Sequence, residues 1–379
     1  MADYERYLPD HERDFRRRST LAQMLHLDLL LLTPLLVLMF GGLFILYSGS
    51  DASWDTVIRQ IRNQTVAIVA MLAAAQIRVE TYRRWAPVLY VAGLLLLVAV
   101  PLVGVGAKGA QRWLSLGVVR FQPSELMKLA MPLMLAWWYS HYAIPPRPMP
   151  LLGSLGVVLL PAALIVIQPD LGTSLLVAAS GLFVIFLAGV SWLYIVGAAL
   201  LFVASAWPAW LFLLKDYQKR RVLTLLDPES DKLGAGWNII QSKTAIGSGG
   251  WDGKGWLSGT QSHLDFLPES QTDFIIAVLA EEFGLRGVLV LMAIYALIVL
   301  RGFYIGLRAQ SVFGRLLASA ITLTFFVYIF VNMGMVAGIL PVVGVPLPLI
   351  SFGGTSMVTL MLGFGVLMAI STERRIIAQ

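Results

Sequence analysis

The chain has 379 residues, of which 58% are hydrophobic and only 13% are charged, and its mean hydropathy is +0.77. An ordinary soluble domain carries roughly 25% charged residues, so this composition excludes one and predicts a protein embedded in the lipid bilayer. The chain has no cysteine and only four histidines without paired spacing, which excludes disulfide frameworks and argues against thiolate- or histidine-ligated metal sites.

Ten apolar runs follow one another along the chain, each close to the roughly 20 residues that cross the hydrocarbon core as a helix. The first is too long for the apolar part of a signal peptide, and acidic residues precede it, so it is expected to be retained. The sequence therefore predicts an all-α polytopic membrane protein with about ten transmembrane helices, in a single domain covering 1–379. The runs lie at 27–47, 57–76, 86–106, 122–140, 150–168, 171–189, 191–213, 273–300, 316–340 and 347–370.

The distribution of Lys and Arg predicts the orientation of these spans. With the N-terminus in the cytoplasm, the cytoplasmic segments hold 14 Lys and Arg residues, whereas the short loops on the other side hold five. This bias follows the positive-inside rule and predicts that both termini are cytoplasmic. It also accounts for the net charge of +6 without a nucleic-acid partner. The predicted cytoplasmic segments are 1–26, 77–85, 141–149, 301–315 and 371–379.

The stretch 214–272 interrupts the apolar pattern between the predicted spans 7 and 8. It is rich in Gly, Ser, Asp and Lys and falls on the extracytoplasmic side. Loops of this length are uncommon unless they are functional or disordered, and this one has too little low-complexity sequence for a floppy linker. Its glycine-rich part matches neither a dinucleotide-binding nor a Walker A motif. An outward-facing basic set is expected there, with the residues Arg220, Arg221, Lys243 and Lys254.

Ionisable residues inside apolar spans indicate functional sites, because each costs several kcal/mol in lipid. Glu125 and Lys128 follow Pro123, which suits the first turn of a helix, and their i,i+3 spacing places them on one face. These two residues either form a buried ion pair that neutralises itself or line a cavity, and the sequence leaves both interpretations open. Asp170 is interpreted as a helix N-cap, with a place in a site as the alternative.

Asp273 stands where the long loop meets the next apolar run. A simple cap would explain it, but the sequence favours a functional carboxylate, because the same helix carries further charges inside the membrane. Glu281 and Glu282 are interpreted as structural partners of Arg286. Further on, three prolines and a Gly-Gly pair between 341 and 356 predict broken backbone at membrane depth, which is tolerated only against protein or a cavity.

These features allow two kinds of function. A transporter could use a carboxylate and nearby cations to couple a proton to a solute. An enzyme could use the carboxylate as a general base on a lipid-borne anionic substrate, with the cations stabilising a pyrophosphate leaving group. The residues alone do not decide between the two functions, although the long outer loop favours the enzyme.

The chain resembles the SEDS family (shape, elongation, division and sporulation) over nearly its whole length, and more closely its rod-elongation branch than its division branch. The runs that carry the resemblance are Arg120-Phe-Gln-Pro-Ser-Glu125, Gln168-Pro-Asp-Leu-Gly-Thr-Ser174, Gln241-Ser-Lys-Thr-Ala-Ile-Gly-Ser-Gly-Gly250, Phe266-Leu-Pro-Glu269, Thr272-Asp273-Phe274, Ala280-Glu-Glu-Phe-Gly284 and Pro346-Leu-Pro-Leu-Ile-Ser-Phe-Gly-Gly354.

The resemblance implies a peptidoglycan glycosyltransferase of the bacterial cytoplasmic (inner) membrane that polymerises lipid II, the undecaprenyl-pyrophosphate-linked disaccharide peptide. It implies a class B penicillin-binding protein and the elongation machinery as partners. Asp273 matches the essential aspartate of the family and is the expected general base, and Glu125 and Lys128 match residues that the family needs. Many members have His where this chain has Gln271, which puts a role for an imidazole there in doubt.

The implied reaction joins a sugar hydroxyl of one lipid II to the anomeric carbon of another, with a divalent cation such as magnesium or manganese as a possible cofactor. A lipid II flippase and a non-catalytic scaffold for the penicillin-binding protein are the alternatives. The residues expected to bind substrate or support the site are Arg120, Gln122, Ser124, Glu125, Lys128, Asp170, Arg220, Arg221, Lys243, Glu269, Thr272 and Ser351.

Overall fold

The computed structural model describes residues 26–107, 110–115, 120–214, 216–231, 234–263 and 269–373. The predicted cytoplasmic segments 1–26 and 371–379 therefore lie almost entirely outside the described residues, and their placement stays a prediction. The described chain is predominantly helical, as its composition predicts.

Each of the ten apolar runs coincides with a helix. The helices are α1 (Leu29–Gly49), α2 (Trp54–Ala75), α3 (Val79–Val103), α4 (Pro123–Tyr139), α5 (Pro148–Ile167), α6 (Leu171–Leu187), α7 (Trp192–Pro208, continued by a π-helical turn at Ala209–Leu213), α11 (Ile275–Arg308), α12 (Val312–Val336) and α13 (Thr355–Ser371). Six of them, namely α1, α3, α5, α7, α11 and α12, are long and apolar enough to cross a membrane, and α6 and α13 are shorter apolar helices. The fold class is thus confirmed, while the count of ten crossings stays a prediction.

The predicted boundaries needed three corrections. The loop expected at 301–315 is mostly helix, since α11 continues to Arg308 and α12 already begins at Val312. The span expected at 347–370 begins only at Thr355, because the segment before it has no helical structure. The loop expected at 77–85 is mostly helix, since α3 already begins at Val79 with Glu80 in its first turn. Hydropathy misplaced the start of α3, because the first turn of this helix is polar.

The segments outside the spans contain structure that the apolar pattern did not predict. The loop between α3 and α4 forms a small antiparallel sheet of β1 (Val105–Ala107), β2 (Ala110–Ser115) and β3 (Arg120–Phe121), in the order β1-β2-β3. The long loop 214–272 contains the helices α8 (Asp216–Leu226), α9 (Ala235–Gly249) and α10 (Thr260–His263), with a 3₁₀ turn at Pro228–Asp231.

The core of the protein is built around α12, which packs against α4, α6 and α11. Large side chains that are almost fully buried fill the space between these helices, among them Tyr139, Phe313 and Phe325. By contrast, α7 buries none of the side chains of its described residues 192–208. An apolar helix that buries none of its side chains in the protein is expected where lipid covers it.

Helix α11 is broken at Gly284, whose φ of +63° and ψ of −163° are not helical. The outer-loop turn 250–255 fills the break through main-chain hydrogen bonds. Leu285 N donates to Gly250 O at 2.9 Å, and Lys254 N donates to Glu281 O at 3.0 Å. A side chain at position 284 would overlap the main chain of this turn, which explains the glycine.

The interpretation of Glu281 as a partner of Arg286 is wrong. Arg286 pairs with Asp252 at the exposed surface, whereas Lys254 Nζ lies 2.7 Å from the fully buried Glu281 carboxylate. Glu282 accepts a hydrogen bond from Ser48 Oγ on α1. The break at Gly284 turns the chain between these carboxylates and Arg286, so regular helical spacing does not apply.

Candidate active site

A polar cavity of about 490 Å³ lies between the predicted outer ends of the core helices. Its wall contains six of the residues expected at the site, which the fold brings together from four segments of the chain. They are Gln122, Glu125, Lys128, Asp170, Arg221 and Asp273. The rest of the wall includes Arg112 and Trp113 of β2, Tyr328 of α12 and parts of the segment 342–356.

Glu125 and Lys128 form a buried ion pair on α4. Pro123 occupies the first turn of the helix, and Glu125 N donates to Gln122 O at 3.0 Å, which starts the helix at this point. Lys128 Nζ lies 2.6 Å from Glu125 Oε1, and the two side chains are 8% and 7% exposed. The pair is therefore both self-neutralising and part of the cavity wall, so the two readings of its spacing are compatible.

Asp170 caps α6 and also contacts the cavity wall. Its Oδ1 accepts a hydrogen bond from Thr173 N at 3.2 Å, which is the predicted N-cap. Its Oδ2 accepts from Gln122 Nε2 at 3.2 Å and lies 3.8 Å from an Arg112 nitrogen. The carboxylate thus connects α4, α6 and β2 at one edge of the cavity.

Arg112 and Tyr328 belong to the wall, and neither was predicted from the sequence. Arg112 NH2 donates to Pro169 O at 2.5 Å, and its Nε is buried without a hydrogen-bond partner among the described residues. The Tyr328 ring centroid lies 5.1 Å from Lys128 Nζ. A signal for Arg112 exists, because it is one of few cations in the short outer loops. Tyr328 lies within an apolar run and gives none.

Asp273 lies in the turn 269–274, directly before α11. The N-cap of α11 is Phe274, and no side chain caps the helix there, so the simple cap interpretation of Asp273 does not hold. Its carboxylate faces Gly344, since a methyl group on Gly344 would lie 3.5 Å from Asp273 Oδ2. Gly344 has a φ of +77°, which favours glycine, and the resulting turn leaves the carboxylate in the cavity wall.

Three helices point their N-termini into the same cavity. Glu125 lies in the first turn of α4, Thr173 in the first turn of α6, and Thr355 and Ser356 in the first turn of α13, and all four line the wall. The N-terminus of a helix carries partial positive charge and free N–H groups, and it favours anions. Together with Lys128, this makes one part of the cavity suited to a phosphate group.

The other expected site residues whose side chains the structure describes lie outside the wall. Ser124 is buried beside it in α4, and Ser351 supports it from the segment after α12. Glu269 and Thr272 bond to each other, with Thr272 Oγ1 donating to Glu269 Oε2 at 2.9 Å. The remaining expected residues are Arg220, which is exposed on α8, Lys243, which is exposed on α9, and Arg120, whose backbone forms β3.

The outward-facing basic set expected in the long loop is only partly present. Arg220 and Lys243 are exposed, as expected. Arg221 instead lines the cavity, and Lys254 is engaged by Glu281. Lys254 is therefore a structural cation that fixes the loop, because the buried carboxylate of Glu281 needs a charged partner in a low-dielectric interior.

No group of three or more His, Asp and Glu side chains that could hold a metal ion comes together among the residues that the structure describes. Three carboxylates, those of Glu125, Asp170 and Asp273, nevertheless share the cavity. Mg²⁺ is commonly held by one or two carboxylates together with substrate phosphates, so a substrate-dependent site fits these residues better than a preformed one.

Comparison with known proteins places the chain among cell cycle proteins. The FtsW/RodA/SpoVE family profile, described as "Cell cycle protein", matches residues 21–376. The chain is 51% identical to the peptidoglycan glycosyltransferase MrdB of Escherichia coli K12, over 97% of this chain and 99% of that protein. It is 34% identical to the stage V sporulation protein E of Bacillus subtilis, over 92% of this chain and 98% of that protein.

Solved structures share the fold. A chain from the structure of a peptidoglycan synthase complex that coordinates polymerization and crosslinking is 30% identical, with a TM-score of 0.81, covering 91% of this chain and 97% of that chain. The rod shape determining protein RodA of Thermus thermophilus is 26% identical, with a TM-score of 0.69, covering 91% of this chain and 96% of that chain. The multi-helix membrane fold of the chain is therefore that of the RodA structures.

Proposed function

The chain belongs to the FtsW/RodA/SpoVE family, and we propose that it is a peptidoglycan glycosyltransferase that polymerises lipid II for elongation of the cell wall. One observation carries this proposal beyond the family. Asp273 shares a single polar cavity with Arg112, Lys128 and Arg221, and with the N-termini of three helices. A base and an anion-binding wall in one cavity are what glycosyl transfer from a pyrophosphate requires.

Asp273 acts as the general base in the proposed reaction. Its carboxylate takes the proton from the 4-hydroxyl of the GlcNAc of one lipid II molecule. The hydroxyl oxygen then bonds to the anomeric carbon of the MurNAc of the growing chain, and the bond from that carbon to the pyrophosphate oxygen breaks. Attack from the face opposite the leaving group inverts the anomeric carbon. Asp273 lines the cavity and is partly exposed, which the proton transfer requires.

The leaving group is an undecaprenyl pyrophosphate, and the cationic wall stabilises its charge. Arg112 offers a guanidinium whose Nε is buried without a protein partner among the described residues. Lys128 remains beside Glu125 and contributes through its charge, while Arg221 approaches from α8 of the long loop. Positive groups fixed in place before the reaction stabilise charge that develops in the transition state without having to reorganise.

A divalent cation held by the cavity carboxylates together with substrate would add to this stabilisation. Asp170 or Asp273 of the cavity wall would hold a magnesium or manganese ion together with substrate. The ion would supply Lewis-acid stabilisation of the leaving group.

We further propose that the transferase works with a class B penicillin-binding protein, which supplies the crosslinking activity, within the elongation machinery. The chain is a multi-pass membrane protein with spans such as α1 and α12. The bias of Lys and Arg supports an orientation with both termini in the cytoplasm and the cavity on the outer side. Lipid-linked substrate in the outer leaflet then has direct access to Asp273.

A lipid II flippase is the second candidate, and a scaffold for the penicillin-binding protein is the third. A flippase needs polar groups through the depth of the membrane, whereas here the charged residues of the cavity lie on the outer side in the predicted orientation. Incubation of the purified protein with lipid II in detergent separates the three functions, because only the transferase forms glycan chains, visible on a gel. The flippase would be favoured by two results together. No glycan product forms, whether or not the partner and Mg²⁺ or Mn²⁺ are present, and labelled lipid II moves across the membrane of liposomes that contain the protein.

A further inference from the structure

Three successive main-chain carbonyls of the turn that carries Asp273 accept hydrogen bonds from the core. Phe352 N donates to Gln271 O at 2.8 Å. Ser351 Oγ donates to Thr272 O at 2.5 Å, and Asn332 Nδ2 donates to Asp273 O at 2.8 Å. Position and direction of the turn are thus set by contacts to its backbone, independently of the Asp273 side chain.

Asn332 has a second contact that bears on the same carboxylate. Its Nδ2 also donates to Val345 O at 2.7 Å. Val345 follows Gly344, the residue that Asp273 Oδ2 faces. One amide group therefore ties the backbone that bears the carboxylate to the backbone opposite it, and it fixes the gap between them.

Stability alone does not account for an asparagine at this position. The side chain is fully buried on α12, and no described residue donates a hydrogen bond to its Oδ1. A buried acceptor without a donor destabilises the folded state, which an apolar side chain of the same shape would avoid. The two hydrogen bonds of the amide group are what this residue adds to the molecule.

We propose that Asn332 is a positioning residue for the transfer reaction, acting through the main chain of Asp273. The proposal rests on the function proposed above, in which Asp273 is the base. In this proposal Asn332 lies behind the carboxylate and does not contact substrate. This agrees with the cavity wall, whose described residues do not include Asn332. A displacement of about 1 Å at a reacting group costs roughly 100-fold in rate, so the loss appears in kcat and leaves KM unchanged.

The test compares Asn332→Leu with the parent in steady-state polymerisation of lipid II. Leu has the same branched shape but no donor, so we expect kcat to fall roughly 100-fold with KM within about twofold of the parent. Thr322→Val is the matched control on the same helix. It removes the bond from the buried Thr322 Oγ1 to Ala318 O at 2.8 Å, which does not involve the turn, and its kcat should stay within about twofold.

The double variant Asn332→Leu/Asp273→Glu identifies the route of the effect. Asp273→Glu keeps a carboxylate but displaces it, so we expect a reduced rate that is still measurable. If Asn332 acts through the position of this carboxylate, the double variant is no slower than Asp273→Glu alone, because the two losses do not add. Additive losses, a rise in KM, or a parental kcat in Asn332→Leu would each overturn the proposal. Polymerisation by the parent protein tests the proposed function separately. A parent protein that forms no glycan product contradicts that function, whatever the Asn332 variants show.

If Asn332→Leu unfolds at a lower temperature than the parent, a smaller substitution is used instead. Asn332→Ser fits the space and keeps a donor, but its short side chain cannot reach both carbonyls. We expect it to fold like the parent and to show the same fall in kcat. A well-folded Ser variant with parental kcat would also overturn the proposal.

Discussion

Lys128 Nζ donates a 2.6 Å hydrogen bond to Glu125 Oε1 where both side chains are more than nine-tenths buried. Breaking a buried ion pair by removing one partner leaves an uncompensated charge, at a cost of about 3–5 kcal/mol. We therefore expect Lys128→Met to lower the unfolding temperature in detergent and to abolish polymerisation.

The double variant Glu125→Gln/Lys128→Met separates folding from catalysis at this pair. Removing both charges leaves no unpaired ion, so most of the lost stability should return. Polymerisation should stay absent, because the cation near the leaving group is gone. A double variant that polymerises lipid II at the parental rate would show that the pair is structural only.

Arg112 is predicted to contribute more to catalysis than Arg220, although both are arginines outside the spans. Arg112 lines the cavity, whereas Arg220 is exposed on α8. A hydrogen bond to a charged group contributes about 1.5–3 kcal/mol, so Arg112→Met should lower kcat/KM by roughly 10- to 100-fold. Arg220→Met serves as the control and should stay near the parental value in the same assay. Equal losses in both variants would argue for a diffuse charge effect.

Gly284 is predicted to be required for the break in α11. Alanine there would need a φ of +63° and would overlap the main chain of Trp251 and Gly253. Strained backbone of this kind costs of order 1–3 kcal/mol, so Gly284→Ala should lower the unfolding temperature measurably. Gly197→Ala on α7 is the control, because no atom lies within 4 Å of its added methyl group. It should be neutral or slightly stabilising, and a comparable loss there would argue against a special role for the break.

Glu281 is predicted to hold the outer loop against α11. Its Oε1 accepts hydrogen bonds from Thr260 N at 2.8 Å and Gln261 N at 3.0 Å, in addition to Lys254 Nζ. Glu281→Gln weakens these charge-assisted bonds, so the amides of Thr260 and Gln261 should exchange hydrogen faster. Mass spectrometry of deuterium uptake measures this, with the exposed Glu229→Gln as control. Unchanged exchange in both variants would show that other contacts hold the loop.

The sequence predicted the features that depend on neighbouring residues. Apolar runs located the helices, and the i,i+3 spacing of Glu125 and Lys128 and the position of Asp170 before an apolar run predicted contacts that the structure contains. These contacts follow from helical geometry alone. The roles of the cavity residues in catalysis stay predictions, because placement in a wall does not measure activity.

Features that depend on distant parts of the chain were missed or wrong. Arg112 reaches the cavity through a small sheet that no hydropathy pattern indicates. The pairing of Glu281 with Arg286 assumed a regular helix, which Gly284 breaks because the loop at 250–255 packs into it. The start of α13 was placed eight positions early, because the apolar residues 347–350 face the core as irregular backbone.

The central claim is that Asp273 is the general base for polymerisation of lipid II. The most direct measurement is glycan formation by purified Asp273→Asn, with its partner and Mg²⁺ present and its folding checked by thermal unfolding. The amide keeps the size of the side chain but cannot take the proton, so we predict parental stability and no glycan product. Polymerisation at the parental rate by a folded Asp273→Asn protein would contradict the claim.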